Sequence, residues 1–109
     1  MLARRKELLD KLKRQCEKAG GTARVFACDV TDEDAVMMAA DEFYSEFDRI
    51  DILIANAGIL GPLSPIAHVT EDGWNSTIDI NLNANWRLIR SLDPLLRQSD
   101  AGRAIGGAL

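Results

Sequence analysis

Ile50-Asp51-Ile52-Leu53-Ile54-Ala55-Asn56-Ala57-Gly58 is the stretch on which the reading of the fold turns. Its apolar residues run without alternation, as they do in a strand covered on both faces, and such strands belong to parallel sheets flanked by helices. It closes on the short polar Asn56 and on Gly58, a usual strand-to-loop ending. Just upstream, Val36, Ala39, Ala40, Phe43 and Phe47 recur at helical spacing and form the expected buried stripe of a helix. Thr31-Asp32-Glu33-Asp34 fits a capping box that starts this helix at Thr31, with acids where the helix dipole favours negative charge. Before it, residues 23–28 read as a short apolar strand. Residues 3–19 read as a first helix, with Leu8, Leu9, Leu12, Cys16 and Ala19 on one face. Gly20-Gly21 supplies its stop, because glycine accepts the left-handed conformation that closes a helix.

Downstream of the strand, Gly58, Gly61, Pro62 and Pro65 break the chain into a loop. Thr70 can cap a long helix over residues 71–97, with Ile78, Leu82, Ile89, Leu92 and Leu96 as its apolar stripe. Pro94 would bend that helix or begin its end. Ser99-Asp100-Ala101-Gly102 reads as a turn. Arg103-Ala104-Ile105 opens a further strand that Gly106-Gly107 cuts off. The order is helix, strand, helix, strand, long helix, incipient strand. Strands alternating with helices imply right-handed crossovers, hence an α/β doubly wound parallel sheet. Two full strands cannot cover three helices, so residues 1–109 are expected to form a single, partial domain.

Composition narrows the function classes. Lys+Arg 13 against Asp+Glu 17 gives a formal charge of -4, which exerts no general pull on nucleic acid or an anionic membrane. No apolar run is long enough to cross a bilayer. Arg4, Arg5 and Lys6 are followed by a charged amphipathic stretch instead of an apolar one, so no secretory signal is expected. Cys16 and Cys28 make neither a CxxC pair nor a disulfide framework; two reduced, structural thiols in a cytoplasmic protein is the expectation. His68 is the only histidine, and helix capping accounts for Asp29, Asp32, Glu33 and Asp34, so no metal site is expected. Trp74 and Trp86 are expected to serve packing.

Ligands of open parallel sheets bind at the carboxyl ends of the strands. Two such ends are present, Cys28-Asp29-Val30 and Asn56-Ala57-Gly58. Alone, an aspartate there is an ordinary helix-entry residue, and Asn-Ala-Gly an ordinary strand ending. Their spacing raises both, since one amphipathic helix and one buried strand separate them. Cys28-Asp29-Val30-Thr31-Asp32, then Phe47-Asp48-Arg49-Ile50 running into Asn56-Ala57-Gly58, then Trp74 and Ile80-Asn81-Leu82, resemble the short-chain dehydrogenase/reductase family. The resemblance covers nearly the whole chain, from the end of the family's second strand to the start of its fifth.

The resemblance implies a partial Rossmann-like domain that binds NAD(P), within an oxidoreductase passing hydride between that cofactor and a small-molecule alcohol or carbonyl. It implies that Asp29 hydrogen-bonds the adenine amino group with Val30 beside the ring, and that Asn56 braces the central strands. The backbone of Ala57 and Gly58 would line the cofactor's ribose. Asn81 would be the asparagine of the catalytic set, interrupting regular helix bonding and holding a water of the proton relay. Ala3 stands where the family selects NAD with an acid, and Arg4 follows; a guanidinium there pairs with a 2'-phosphate, so NADP is expected over NAD. The intact family member is expected to be a homo-oligomer packed through the long helix, which would leave Trp86, Leu88 and Leu95 exposed in a lone chain.

Three departures stand out. Asp48 replaces the usual glycine. The chain has no glycine-rich phosphate loop, and it has no Ser and Tyr-x-x-x-Lys of the catalytic set; Tyr44, its only tyrosine, has Asp48 four residues on. This chain alone is therefore expected neither to turn over substrate nor to bind cofactor tightly. The rival reading is a truncated, non-catalytic interaction module that associates with full-length subunits through the long helix. A flavodoxin-like module is a third, and it gives no reason for Asn81.

Overall fold

The structure, a computed structural model, describes residues 1–106. It begins with a short strand at the start of the predicted first helix. β1 (Leu2–Ala3) precedes α1 (Lys6–Lys18), and β2 (Phe26–Ala27) pairs with β1 in parallel. Helical spacing draws the predicted helix back to Ala3, whereas the strand end that the resemblance implies there is the one observed, since two residues carry no periodicity of their own. Gly20 has φ 91, and the Gly21 N–H donates to the Cys16 carbonyl, so the predicted glycine stop is present. The predicted face of α1 is only partly used. Leu9 is buried and Cys16 half-buried, whereas Leu8, Leu12 and Ala19 are exposed, since α1 packs mainly on the short β1 and β2.

α2 (Glu33–Glu46) starts later than its capping box suggests. Asp32 is the cap, and its carboxylate accepts from the Ala35 N–H at 3.2 Å. Thr31 instead donates to Asp29 through both its N–H (3.0 Å) and its hydroxyl (2.8 Å), so a turn held by Asp29 displaces the box. The predicted stripe of α2 holds: Val36, Ala39 and Ala40 are buried, and Phe43 and Phe47 stack with ring centroids 4.5 Å apart.

β3 (Ile52–Ala55) pairs in parallel with β4 (Arg103–Gly106); Gly107, expected to help cut β4 off, lies outside the described residues. The sheet is thus two parallel pairs, β1-β2 and β3-β4, with no pairing between them. β3 buries Ala55 and half-buries Leu53, yet Ile52 and Ile54 are exposed. The unalternating sequence predicts cover on both faces, and residues 1–106 supply it on one.

Thr70 caps α3 (Glu71–Ile78), accepting from the Gly73 N–H at 3.1 Å. The predicted long helix is present, but it is interrupted by a π-helical turn, Asp79–Asn83, before continuing as α4 (Ala84–Arg97). A π turn adds a residue and rotates everything after it. The apolar stripe therefore changes face. Ala84, Leu88, Leu92 and Leu95 are buried; Leu92 and the half-buried Leu96 belong to the predicted stripe, whereas its Leu82 and Ile89 are exposed. Leu88 and Leu95, expected to be exposed in a lone chain, lie inside; Trp86 alone of that trio is exposed. Pro94 sits within α4 without ending it.

One part of the core joins Ala40, Ile50, Leu92 and Leu95, and a second joins Cys28, Val36 and Leu88. The Ile50 N–H donates to the Leu95 carbonyl, tying α4 to the entry of β3. Asp51 accepts from the Ser99 hydroxyl at 2.6 Å and from Arg49 at 3.1 Å, which fixes the turn into β4. With Leu95 only 2% exposed, Leu95→Ala should lower unfolding free energy by roughly 2–5 kcal/mol in a denaturant titration, whereas Leu8→Ala on the exposed side of α1 should change it by about 0.5 kcal/mol or less. Equal costs for the two would mean that the helical faces are wrongly assigned.

Candidate functional site

The carboxyl ends of β1, β2 and β3 open onto one cavity of about 680 Å³. Arg4 follows β1, Asp29 and Val30 follow β2, and Asn56, Ala57 and Gly58 follow β3; all six line it. The sequence placed these residues at separate strand ends, and the fold brings them together. Asn81 is not part of the lining. It stands behind it, on the π turn.

Asp29 is exposed, but one carboxylate oxygen is fixed by the two hydrogen bonds from Thr31. Those bonds, the backbone one foremost, hold its carboxyl below the ordinary carboxylate range, and the positive charge of Arg4 acts in the same direction. Its other oxygen takes no hydrogen bond among the described residues. Arg4 is exposed and joins no salt bridge among them. A free guanidinium thus stands near a persistently ionised carboxylate at the mouth of an apolar cavity. Such a mouth can take an anionic group at Arg4 and a hydrogen-bond donor at Asp29. Cys28 lies just inside. Burial raises its thiol pKa, and the charges of Asp29 and Asp32 add to the effect, so it remains a protonated packing group.

Asn81 makes a two-point contact with the loop after β3. Its Oδ1 accepts from the Ile59 N–H at 2.8 Å, and its Nδ2 donates to the Ile59 carbonyl at 2.9 Å. The amide therefore pairs with one residue's backbone as a neighbouring strand would. This contact accounts for Gly58: a Cβ there would lie 3.2 Å from Asn81 Oδ1. The close approach that glycine permits is made first by the protein's own amide. Val30 is half-buried and packs against the cluster of Cys28, Val36 and Leu88. Asn56 is exposed, and its side chain makes no hydrogen bond among the described residues. The bracing expected of it needs a neighbour on the free side of β3, where residues 1–106 place none.

Two residues of this site escape a sequence reading. Ile59 contributes only its backbone, which no side-chain pattern reveals. Asn85 donates from Nδ2 to the Asn81 carbonyl at 3.0 Å, while its buried Oδ1 has no partner. Its signal was present, because two amides four residues apart on an apolar helix face each other. His68 lies exposed in a short 3-10 turn, Ile66–His68. No group of three or more metal-ligating side chains converges among the described residues, and no helix there is long and apolar enough to cross a membrane.

Comparisons with known proteins bear on the family and the fold. A family model described as short chain dehydrogenase matches residues 1–106. D-threitol dehydrogenase of Mycolicibacterium smegmatis is 35% identical over 88 residues, covering 81% of this chain and 34% of that protein. Among solved structures, a metagenomic short-chain oxidoreductase in complex with NADP is similar at a TM-score of 0.88 and 30% identity, over 96% of this chain and 48% of its own. An NAD+-bound xylitol dehydrogenase is similar at 0.88 and 28% identity, over 96% and 40%. The chain thus spans about a third of the length of that curated relative and under half of those solved chains.

The Asn81 contact has a measurable weight. Asn81→Ala should cost about 1–3 kcal/mol, two net hydrogen bonds, and expose the Ile59 amide to hydrogen exchange. Gly58→Ala should cost about 1 kcal/mol through overpacking, and that cost should vanish when Asn81 is already alanine. Additive costs in the double variant would show that Gly58 and Asn81 act independently.

Proposed function

This chain belongs to the short-chain dehydrogenase family, and from that premise we propose that it forms the adenosine side of an NADP site. The parent reaction is hydride transfer between that cofactor and a small-molecule alcohol or carbonyl substrate. The observation that carries the proposal is the convergence of Arg4, Asp29, Val30, Asn56, Ala57 and Gly58 on one cavity mouth. The residues present fit such a group. Asp29 keeps an oxygen able to accept from an adenine amino group, and Val30 offers an apolar edge beside it. Ala57 and Gly58 present backbone without bulk to the ribose. The Arg4 guanidinium suits a 2'-phosphate, which favours NADP over NAD. When bound, the cofactor supplies or accepts the hydride.

Asn81 is proposed as the asparagine of the proton relay. Beyond its two bonds to Ile59 it keeps one Nδ2 hydrogen and one Oδ1 lone pair, enough to hold a water. The remaining proton-transfer groups have no counterpart in residues 1–109. Tyr44 is exposed on α2, and no lysine stands four residues after it. The free state of both cysteines fits a reducing compartment, the cytoplasm.

A second reading rests on a different observation. Leu82, Trp86 and Ile89 are exposed along one side of the long helix, with the Arg90 guanidinium 5.2 Å from the Trp86 ring centre. Three apolar side chains at helical spacing form a seam suited to a second helix of the same kind, so we propose self-association there. Sedimentation should show a concentration-dependent dimer that the Trp86→Ala, Ile89→Ala double variant abolishes; a wild-type monomer at every concentration would sink this reading.

The cofactor proposal predicts an ordering of weak affinities. Calorimetry should find 2',5'-ADP binding more tightly than 5'-AMP by roughly tenfold or more, the value of a charged hydrogen bond, and Arg4→Ala should erase the difference. Equal binding of the two nucleotides by the unmodified chain would overturn the NADP assignment. The purified 109-residue chain should show no cofactor-dependent turnover, and any such turnover would refute its inactivity.

A further inference from the structure

Charge is spread unevenly along this chain. Residues 1–24 hold eight of its 13 Lys and Arg residues and only three acids. Residues 25–48 hold eight acids and no Lys or Arg. The formal charge of -4 is therefore a balance between a basic segment and an acidic one. The first segment carries α1 and the second carries α2.

The fold does not bring the two sets of charges together. α1 packs mainly on β1 and β2, and α2 mainly on α4. One salt bridge links the two segments, Arg24 to Glu46 at 2.6 Å. Lys13 pairs with Glu17 of its own helix. Lys11, Arg14 and Lys18 are exposed and join no salt bridge among the described residues. The same holds for Asp34, Asp41 and Glu42, on the side of α2 opposite its buried Val36, Ala39 and Ala40.

The two faces have the same build with opposite sign. Lys11, Arg14 and Lys18 follow one another at spacings of three and four, so they form one ridge along α1. Exposed Leu8 and Leu12 lie beside it. On α2, Asp34, Met38 and Asp41 follow at spacings of four and three, with Glu42 beside them. Met37 and Met38 are both exposed there. Each ridge runs over two turns, about 10 Å at the rise of an α-helix. The two thus match in length, in helical spacing and in having apolar side chains next to the charges.

We propose that the α1 ridge of one copy docks on the α2 ridge of a second copy. The partner of α1 has to present acids along a helix with apolar side chains among them, and α2 is such a surface. A chain cannot close its own two ridges together, because each is the outward side of a helix that packs elsewhere. Unlike faces can join as a two-fold pair or run on head to tail, and both forms use the same contact. Exposed ion pairs are individually weak, so the association depends on several acting together. They do so only while the screening length spans the ridge, about 30 Å in 10 mM salt and about 8 Å in 150 mM. The contact uses neither the helix seam at Leu82, Trp86 and Ile89 nor the cavity mouth, so it stands or falls separately from both.

The test uses the whole chain carrying Trp86→Ala and Ile89→Ala, in which the helix seam cannot contribute. In sedimentation velocity this parent should associate more as its concentration rises in about 10 mM salt, and at least tenfold more weakly in about 150 mM. Lys11→Glu with Arg14→Glu reverses the α1 ridge, and Asp41→Lys with Glu42→Lys reverses that of α2. Each variant then carries like charges on both ridges and should associate with itself at least tenfold more weakly than the parent. An equimolar mixture of the two should associate again, which also shows that both are folded. A mixture no better than its components would overturn the proposal. So would association equally strong at the two salt concentrations, because it would not rest on charge. A parent that stays monomeric at both would overturn it as well, and its binding to an oligonucleotide or to phosphatidylserine vesicles would assign the α1 face to a different partner.

Discussion

The π turn at Asp79–Asn83 is the constraint from which much of this structure follows. One extra residue in the helix rotates α4 relative to α3. That rotation carries Ala84, Leu88, Leu92 and Leu95 onto α2 and β3, where they close the core. The same turn aims the Asn81 side chain at the Ile59 backbone, which fixes the loop after β3. A regular helix could bury one stripe along its whole length. It would not then present a polar amide to the loop and an apolar stripe to the core in the orientations seen here. Core packing and the placement of the strand-end loop are thus coupled through a single local deformation.

The two-pair sheet gives the molecule an uneven distribution of satisfied groups. On the outer edges, short parallel ladders pair the backbone. Along the inner edges of β1 and β3, backbone groups face a cavity whose lining is otherwise apolar. Unpaired edges are costly when dry and adhesive when wet. The exposed Ile52 and Ile54 side chains lie on the same strand, so β3 lacks cover on one face as well as on one edge. Polar groups gather only at the carboxyl end, where Arg4, Asp29 and Asn56 meet water.

Much of this was legible in the sequence, and the failures have specific causes. The alternation of strands and helices, the α2 stripe and the Thr70 cap are short-range properties, and each appears where the residues predict it. β1 showed itself only through the family resemblance, which ends a strand at Ala3, because two residues cannot show a period of their own. The long helix was recognised, and Leu92 and Leu96 of its predicted stripe do meet the core, but Leu82 and Ile89 were misplaced because periodicity assumes 3.6 residues per turn throughout. Asn81 itself was the warning, a polar amide on an apolar stripe. Thr31 was read as a cap because its residue type allows it, and Asp29 claims it first. Asp29, Val30 and Asn56–Gly58 stood out by spacing and Arg4 through the family resemblance, while the Ile59 backbone that Asn81 holds leaves no trace in side-chain type.

Gly58 shows how structural and functional explanations can share one residue. A glycine after a strand in a nucleotide-binding fold invites the explanation that a side chain would collide with the ligand. Here a Cβ would first meet Asn81 Oδ1, 3.2 Å away. The glycine therefore eases the protein's own hydrogen bonding before any ligand is considered. The two requirements do not compete. The Asn81–Ile59 contact and the missing Cβ at Gly58 lie on the same short stretch after β3, so the fold itself sets the shape of that stretch.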